Sequence, residues 1–252
     1  MSEKKRTEPG RILELLWGTE TPPNRGPKPK FTRAQVVDAG IAVADAEGLE
    51  QLSMRRVAEH LGTGTMSLYT YVPGRAELLH LMLDRVTGTL PPLPGDASWR
   101  TALEQWARDA RDLAARHPWT SAASTPGLLL MGPHTTARSD ALYGALAPLG
   151  LAPRETARIA NSVEAYVRGV CRALADQQAD TRQSGVDYER WWEQATPHLT
   201  RLITRERFPH LYGLWEQGAF EEPADAGFEF GLRRLLDGIE AGLEADRPEG
   251  GR

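Results

Sequence analysis

Leucine and alanine outnumber isoleucine and valine by 63 to 15 in this chain of 252 residues. That imbalance narrows the fold more than any other feature. An unbranched Leu side chain loses little rotamer freedom in a helix, and Ala loses none. The β-branched residues that fit a pleated surface are too few to fill the interior of a sheet. An all-α protein is expected. With 40% apolar residues the chain can build one large domain or two smaller ones. The single cysteine, Cys171, excludes an internal disulfide framework and a Cys-rich zinc site.

Charge is unevenly placed. The net charge of −4 argues against a protein that wraps nucleic acid over its whole surface, but allows a small basic module. All four lysines lie in the first thirty residues, and residues 1–33 carry eight basic against four acidic side chains. In Arg25-Gly26-Pro27-Lys28-Pro29-Lys30 the two prolines forbid helix. Residues 1–31 therefore read as a basic arm, from which Lys28 and Lys30 can reach a phosphate backbone. No signal peptide is visible. Residues 117–137 lack Asp, Glu, Lys and Arg, but Pro118, Pro126 and Pro133 interrupt them. They read as helix ends and a buried turn, not a membrane span. A cytoplasmic protein without membrane contact is expected.

Helix signals begin at Thr32. Thr32 and Gln35 have capping-box spacing, and Phe31 is placed to staple onto Val36. Val36, Val37, Gly40, Ile41 and Ala44 share one face, and Gly48 ends the helix. Ser53 can cap a short helix bearing Val57, Ala58 and Leu61. After Gly62 a second short segment runs from Thr65 to about Val72. Pro73-Gly74 turns the chain into a helix from Arg75 to about Thr87. The stretch at 91–96, Pro-Pro-Leu-Pro-Gly-Asp, marks a boundary between a domain at 32–90 and another at 96–252. In the second, helices are expected over about 98–116, 133–147, 153–183 and 224–245. Shorter ones fill 187–217, broken at Pro197 and Pro209.

The informative stretch is Ser53–Arg75. Two short helices meet at Gly62, where a positive φ is cheap. Ala58 is small enough for the first helix to pack beneath the second, and Val57, Leu61 and Leu68 supply apolar spacers. The second helix keeps a free face able to enter a major groove. This is the pattern of a helix-turn-helix, although other helical hairpins share it.

The segment Leu52-Ser53-Met54-Arg55-Arg56-Val57-Ala58-Glu59-His60-Leu61-Gly62 is followed by Met66-Ser67-Leu68-Tyr69-Thr70-Tyr71-Val72. Then comes Arg75-Ala76-Glu77-Leu78-Leu79. With the helix before it, this run resembles the TetR/AcrR family of transcriptional regulators over about residues 32–88. The early tryptophan and the Arg-Gly-Pro-Lys-Pro arm resemble a tetracycline-repressor-like actinobacterial subgroup.

The resemblance implies roles. Ser53 caps its helix and touches phosphate, and Arg55 reaches a base edge, its fork suiting guanine O6 and N7. Thr65, Met66 and Ser67 face the groove floor. Tyr69 and Tyr71 touch phosphate, and Arg75 grips it from the next helix. Gly64 and Thr65 replace longer polar side chains common at those positions, which thins direct base readout. Arg56 reads better as a solvated charge, and Tyr71 can instead pack on the first helix.

The remainder resembles the family's ligand-binding and dimerisation domain only by helix count and length. Tryptophans 99, 106, 119, 191, 192 and 215 crowd it. Trp106, Met131, His134, Tyr166 and Trp191 are candidate lining for a small, largely apolar, planar effector with one or two polar handles. The apolar stripes on 153–183 and 224–245 need partners, and Leu232, Leu235, Leu236, Ile239 and Leu243 are expected in a two-fold seam.

The expectation is a homodimeric, ligand-responsive repressor on a palindromic operator of double-stranded DNA, with no cofactor and no metal. The rival classes are a helical-bundle enzyme and a helical scaffold that does not bind DNA. Against the enzyme, Glu77-x-x-His80 is the only Glu-x-x-His, and no nucleophile elbow, P-loop or dinucleotide fingerprint occurs.

Overall fold

The computed structural model describes residues 9–19, 30–123, 131–186, 188–220 and 224–245. The described residues are helical without strands: α1 (Pro9–Trp17), α2 (Arg33–Glu47), α3 (Met54–His60), α4 (Thr65–Leu68), α5 (Arg75–Thr87) and α6 (Trp99–Arg116). There follow α7 (Trp119–Ala123), α8 (Pro133–Leu146), α9 (Pro153–Ser184), α10 (Tyr188–Leu202), α11 (Pro209–Glu216) and α12 (Ala224–Ala245). They form two compact units, Met1–Val167 and Arg168–Arg252. None of these helices is long and apolar enough to cross a membrane.

In the first unit α2 opens with the expected capping box. Thr32 Oγ1 accepts from the Gln35 amide at 3.2 Å, and Gln35 Oε1 accepts from the Thr32 amide at 2.8 Å. Val36, Val37, Ala39, Val43 and Ala44 are buried against α3 and α5. Gly40 lets α5 approach: a Cβ there would lie 3.0 Å from Met82 Sδ and 3.2 Å from a Leu78 methyl. Leu52, Met54, Val57, Ala58, Leu68, Val72, Leu78, Met82, Leu83 and Val86 complete the same core.

Residues 9–17, before the proline-bearing stretch, are helical. They form a helix that lays Leu15, fully buried, against α5. Arg33 Nη1 donates to the Leu15 carbonyl at 3.3 Å, and Gly18, at φ 64°, follows the helix end. This nine-residue helix is too short to stand alone, and its partner holds it.

The Pro-rich stretch at 91–96 does not separate the packing on its two sides. Trp119 and Ala123 of α7, with Leu113 of α6, belong to the core of α2–α5. Trp119 Nε1 donates to Asp45 Oδ1 at 2.7 Å, and His117 Nδ1 lies 2.8 Å from the same oxygen. Arg138 of α8 donates to the Pro91 carbonyl at 2.7 Å and pairs with buried Asp109 of α6. A second tie joins α5 to α8. The α8 helix has Gly132 at its N-cap position and no side-chain cap of its own. Buried Asp84 of α5 supplies one: its Oδ1 accepts from the amides of His134 (3.0 Å) and Thr135 (2.9 Å) and from Thr135 Oγ1 (3.2 Å).

In the second unit, α10 runs through Pro197, where a break was expected; Pro209 instead opens α11. Pro197 is exposed, so the carbonyl it leaves without a partner lies on a wet face. On α12, Phe228, Leu232 and Leu236 are buried at i, i+4 and i+8. The neighbouring row, Leu235, Ile239 and Leu243, stays half-buried.

Candidate nucleic-acid interface

Ser53 sits in extended backbone, with φ −148°, and its Oγ accepts from the Arg56 amide at 3.2 Å. This cap starts α3. Leu61 and Gly62 end it, and Gly62 adopts φ 62°, the left-handed conformation that only a glycine takes without strain. After the turn α4 occupies four residues, shorter than the sequence pattern implied. Leu68 is its anchor, with no exposure at all, packed into the core of α2–α5.

The other α4 side chains are arranged around that anchor. Met66 is 80% exposed and Tyr69 46% exposed, while Ser67 is exposed and Thr65 half-buried. Thr70 Oγ1 turns back to the Ser67 carbonyl at 2.7 Å. On α3, Arg55 is 77% exposed, with only a loose contact of 3.5 Å to Glu59. Arg56 differs. Its Nε donates to Glu47 Oε2 at 3.0 Å and its Nη1 to Glu59 Oε2 at 2.7 Å, with a further short contact to Glu47 Oε1. The guanidinium holds the Glu47 carboxyl below its ordinary range, and its own pKa is raised by the same hydrogen bonds. Arg56 therefore ties α3 to the end of α2.

Tyr71 and Arg75 are also bonded within the protein. Tyr71 is half-buried, its hydroxyl accepts from the Phe31 amide at 3.2 Å, and its ring meets Phe31 edge-on at 6.5 Å. Its carbonyl accepts from Arg33 Nε at 3.2 Å. Tyr71 thus fastens the exit of α4 to the entry of α2. Arg75 Nε donates to the Leu52 carbonyl at 2.7 Å and its Nη2 to the Leu49 carbonyl at 2.8 Å, bracing the loop between α2 and α3. Both side chains serve the frame that presents α4. Lys30 stands with Nζ 5.3 Å from the Phe31 ring centroid, and Lys28 lies outside the described residues.

The candidate effector residues fall in both units, Trp106, Met131, His134 and Tyr166 in the first and Trp191 in the second. Trp106 on α6 and Tyr166 on α9 are half-buried. Met131 exposes its side chain, and its carbonyl accepts from Trp17 Nε1 at 2.8 Å. His134 is exposed at the α5–α8 tie, where its ring crowds Gly88: a Cβ there would lie 2.8 Å from it. Trp191 belongs to the second unit, exposed and edge-on to Trp192 at 5.2 Å. The expected seam residues of α12 fall in two rows. Leu232 and Leu236 are spent inside the single chain, because that row packs inward, whereas Leu235, Ile239 and Leu243 keep exposed surface. Among the described residues no cluster of three or more His, Cys, Asp or Glu could hold a metal ion. Sequence reasoning missed Asp84, Asp45 and Trp17, whose partners lie 50 or more residues away.

A capped α3, a left-handed glycine turn and a short α4 projecting from a closed core define a helix-turn-helix DNA-binding protein. The family model for bacterial regulatory proteins of the tetR family matches residues 36–82, and that for the tetracyclin repressor-like C-terminal domain matches residues 91–243. The HTH-type transcriptional repressor DrrR1 of Streptomyces coeruleorubidus is 43% identical over 241 residues, 95% of this chain and 88% of that protein. An HTH-type transcriptional regulator of Saccharopolyspora erythraea is 32% identical, covering 86% of this chain and 89% of its own length. The crystal structure of ActR from Streptomyces coelicolor in complex with actinorhodin superimposes with a TM-score of 0.70 at 25% identity, over 85% of this chain and 98% of that one. The chain belongs to the TetR family: it is a transcriptional repressor with a helix-turn-helix DNA-binding domain, and not an enzyme.

Proposed function

We propose that the protein acts as a homodimer on a palindromic operator and is released from it by a small, largely apolar, planar effector. The observation that carries the DNA reading is the outward row of α4, Met66, Ser67 and Tyr69, standing on a core that Leu68 closes from behind. Ser53, Arg55, Thr65, Met66, Ser67 and Tyr69 make the contacts to DNA, with Lys28 and Lys30 following the backbone. Two such units on a two-fold axis would meet successive major grooves. The half-buried row Leu235, Ile239 and Leu243 supports the seam that sets their spacing.

Release requires two states with different affinity for the effector. The complex of ActR with actinorhodin supports an organic small molecule as effector for this chain. Trp106, Met131, His134, Tyr166 and Trp191 remain the candidate contacts. An effector that displaces α8 would pull on Asp84, and through it on α5 and the helix-turn-helix.

The test is titration of the full-length protein against labelled DNA flanking its own gene at several salt concentrations. A compound library screened by thermal shift then supplies candidates for release. Two protomers per site and an affinity that falls steeply with salt are expected. Binding of one protomer, or loss of no operator with any stabilising compound, refutes the dimer or the effector respectively. Replacement of Trp106 or Trp191 by Ala should weaken release without changing affinity for DNA alone.

A further inference from the structure

We infer that Met66 reads a thymine methyl group in each operator half-site and is the principal source of base discrimination by α4. This rests on the assignment of α4 as the helix that enters the groove. Met66 lies two residues before Leu68, so at about 100° per residue it points about 200° away from it. Leu68 is fully buried, and Met66 therefore faces straight out of the domain. At 80% exposure it is the most exposed large apolar side chain among the described residues.

The neighbours offer little to a base edge. A bidentate pair with guanine needs Arg or Lys, and one with adenine needs Asn or Gln. α4 and its flanks carry none of these: the row is Gly64, Thr65, Met66, Ser67, Leu68, Tyr69. Thr70 spends its hydroxyl on the Ser67 carbonyl, and Arg56 on α3 is held by Glu47 and Glu59. What projects farthest from α4 is an unbranched, polarizable thioether with three rotatable bonds. The major groove offers one apolar feature, the C5-methyl of thymine, and a methionine meets it by dispersion and by excluding water from both. Arg55 and Ser67 can add hydrogen bonds around this contact, but the methyl is what an apolar tip can tell apart.

The experiment first selects bound sequences from a random duplex pool with the full-length protein. Each thymine of the selected site is then replaced, one at a time, by deoxyuridine, which removes the methyl and leaves the hydrogen-bonding edges unchanged. One thymine per half-site should stand out, its replacement weakening binding roughly fourfold, and roughly fifteenfold when both half-sites are changed, on the usual worth of a buried methyl-sized group. In Met66→Ala and Met66→Gln the same replacement should have no effect, while the unfolding midpoint stays at the wild-type value because the side chain is exposed. A site indifferent to every methyl overturns the inference, as does a methyl sensitivity that persists in both variants. If selection enriches no sequence, the DNA-binding assignment itself falls, which is a different result from a selected site that ignores uracil.

Discussion

Asp84 is the residue whose removal should separate the helix-turn-helix from the helices behind it. Its Oδ1 takes two backbone N–H groups and one hydroxyl at the start of α8, and the side chain is buried. In Asp84→Ala the α8 N-cap disappears, which by itself costs about 1–2 kcal/mol. The donors left behind are only half-buried, so water recovers part of the further 1–3 kcal/mol that a fully buried orphan would cost. The sum is about 2–3 kcal/mol. In a chain of this size that lowers the unfolding midpoint by roughly 5–10 °C. Asp84→Asn keeps an acceptor oxygen and should lose about half as much.

The same joint is tested from its other side at Gly132. A Cβ there would land on the Asp84 carboxyl, with Asp84 Cβ itself 2.9 Å away. Gly132→Ala should therefore cost about 1–3 kcal/mol by overpacking. In the Asp84→Ala background the carboxyl is gone and only the Cβ remains, so the glycine substitution should cost at least about 1 kcal/mol less. The assay is urea unfolding followed by tryptophan fluorescence for the wild type, the two single variants and the double variant. If Asp84→Ala lies within about 0.5 kcal/mol of wild type, or if the two substitutions simply add, the cap is not what joins α5 to α8.

Other expectations follow from single side chains. Arg75→Lys should destabilise the domain almost as much as Arg75→Ala, about 1–3 kcal/mol, because an ammonium cannot span the Leu49 and Leu52 carbonyls. In Arg75→Ala, unchanged stability with a salt slope lower by about one unit would instead make Arg75 a phosphate contact. His80 is buried, and desolvation depresses its pKa below the ordinary value of about 6.5, outweighing the nearby Glu77 that acts the other way. Over that interval the unfolded chain binds the proton that the folded chain refuses. Stability should be unaffected above about pH 6.5, fall below it, and level once the folded form protonates. Urea unfolding between pH 5 and 8 should show that decline for wild type and a shallower one for His80→Phe. Leu235→Arg should leave a folded monomer by sedimentation and circular dichroism, whereas Leu236→Arg, whose site is fully buried, should abolish cooperative unfolding. A folded, dimeric Leu235→Arg protein would remove this row from the seam.

Local chemistry made part of this molecule legible from sequence. Thr32 with Gln35, Ser53, and Gly62 at the turn each act over three or four residues, and the helices they bound appear where expected. Tertiary effects hid the rest. The helix at Pro9–Trp17 is weak alone and forms on α5. On α12 an apolar band wide enough to include Leu232, Leu235, Leu236, Ile239 and Leu243 spans two faces, and hydrophobicity alone does not divide the face that packs within the chain from the one left over.

Contact roles were the least legible, because a motif transfers a residue type to a position without transferring its partner. Arg75 and Tyr71 match positions that can meet phosphate, and within the fold they also bond the Leu49 and Leu52 carbonyls and the Phe31 amide. Those acceptors and donors belong to segments 23–40 residues away, beyond any periodicity. Asp84 is harder still, with partners 50 and 51 residues ahead. One sign of it does stand in the sequence. The segment Met131-Gly132-Pro133 opens a helix with proline at its first position and without Ser, Thr, Asp or Asn at the cap. A helix that brings no cap of its own needs one from elsewhere if its end is covered. Asp84 shares its face of α5 with Glu77 and His80, both also buried, so the sequence does not single it out among the polar groups there. The uncapped start of α8 is thus the legible half of the joint, and Asp84, 50 residues earlier, is the half that only the fold supplies.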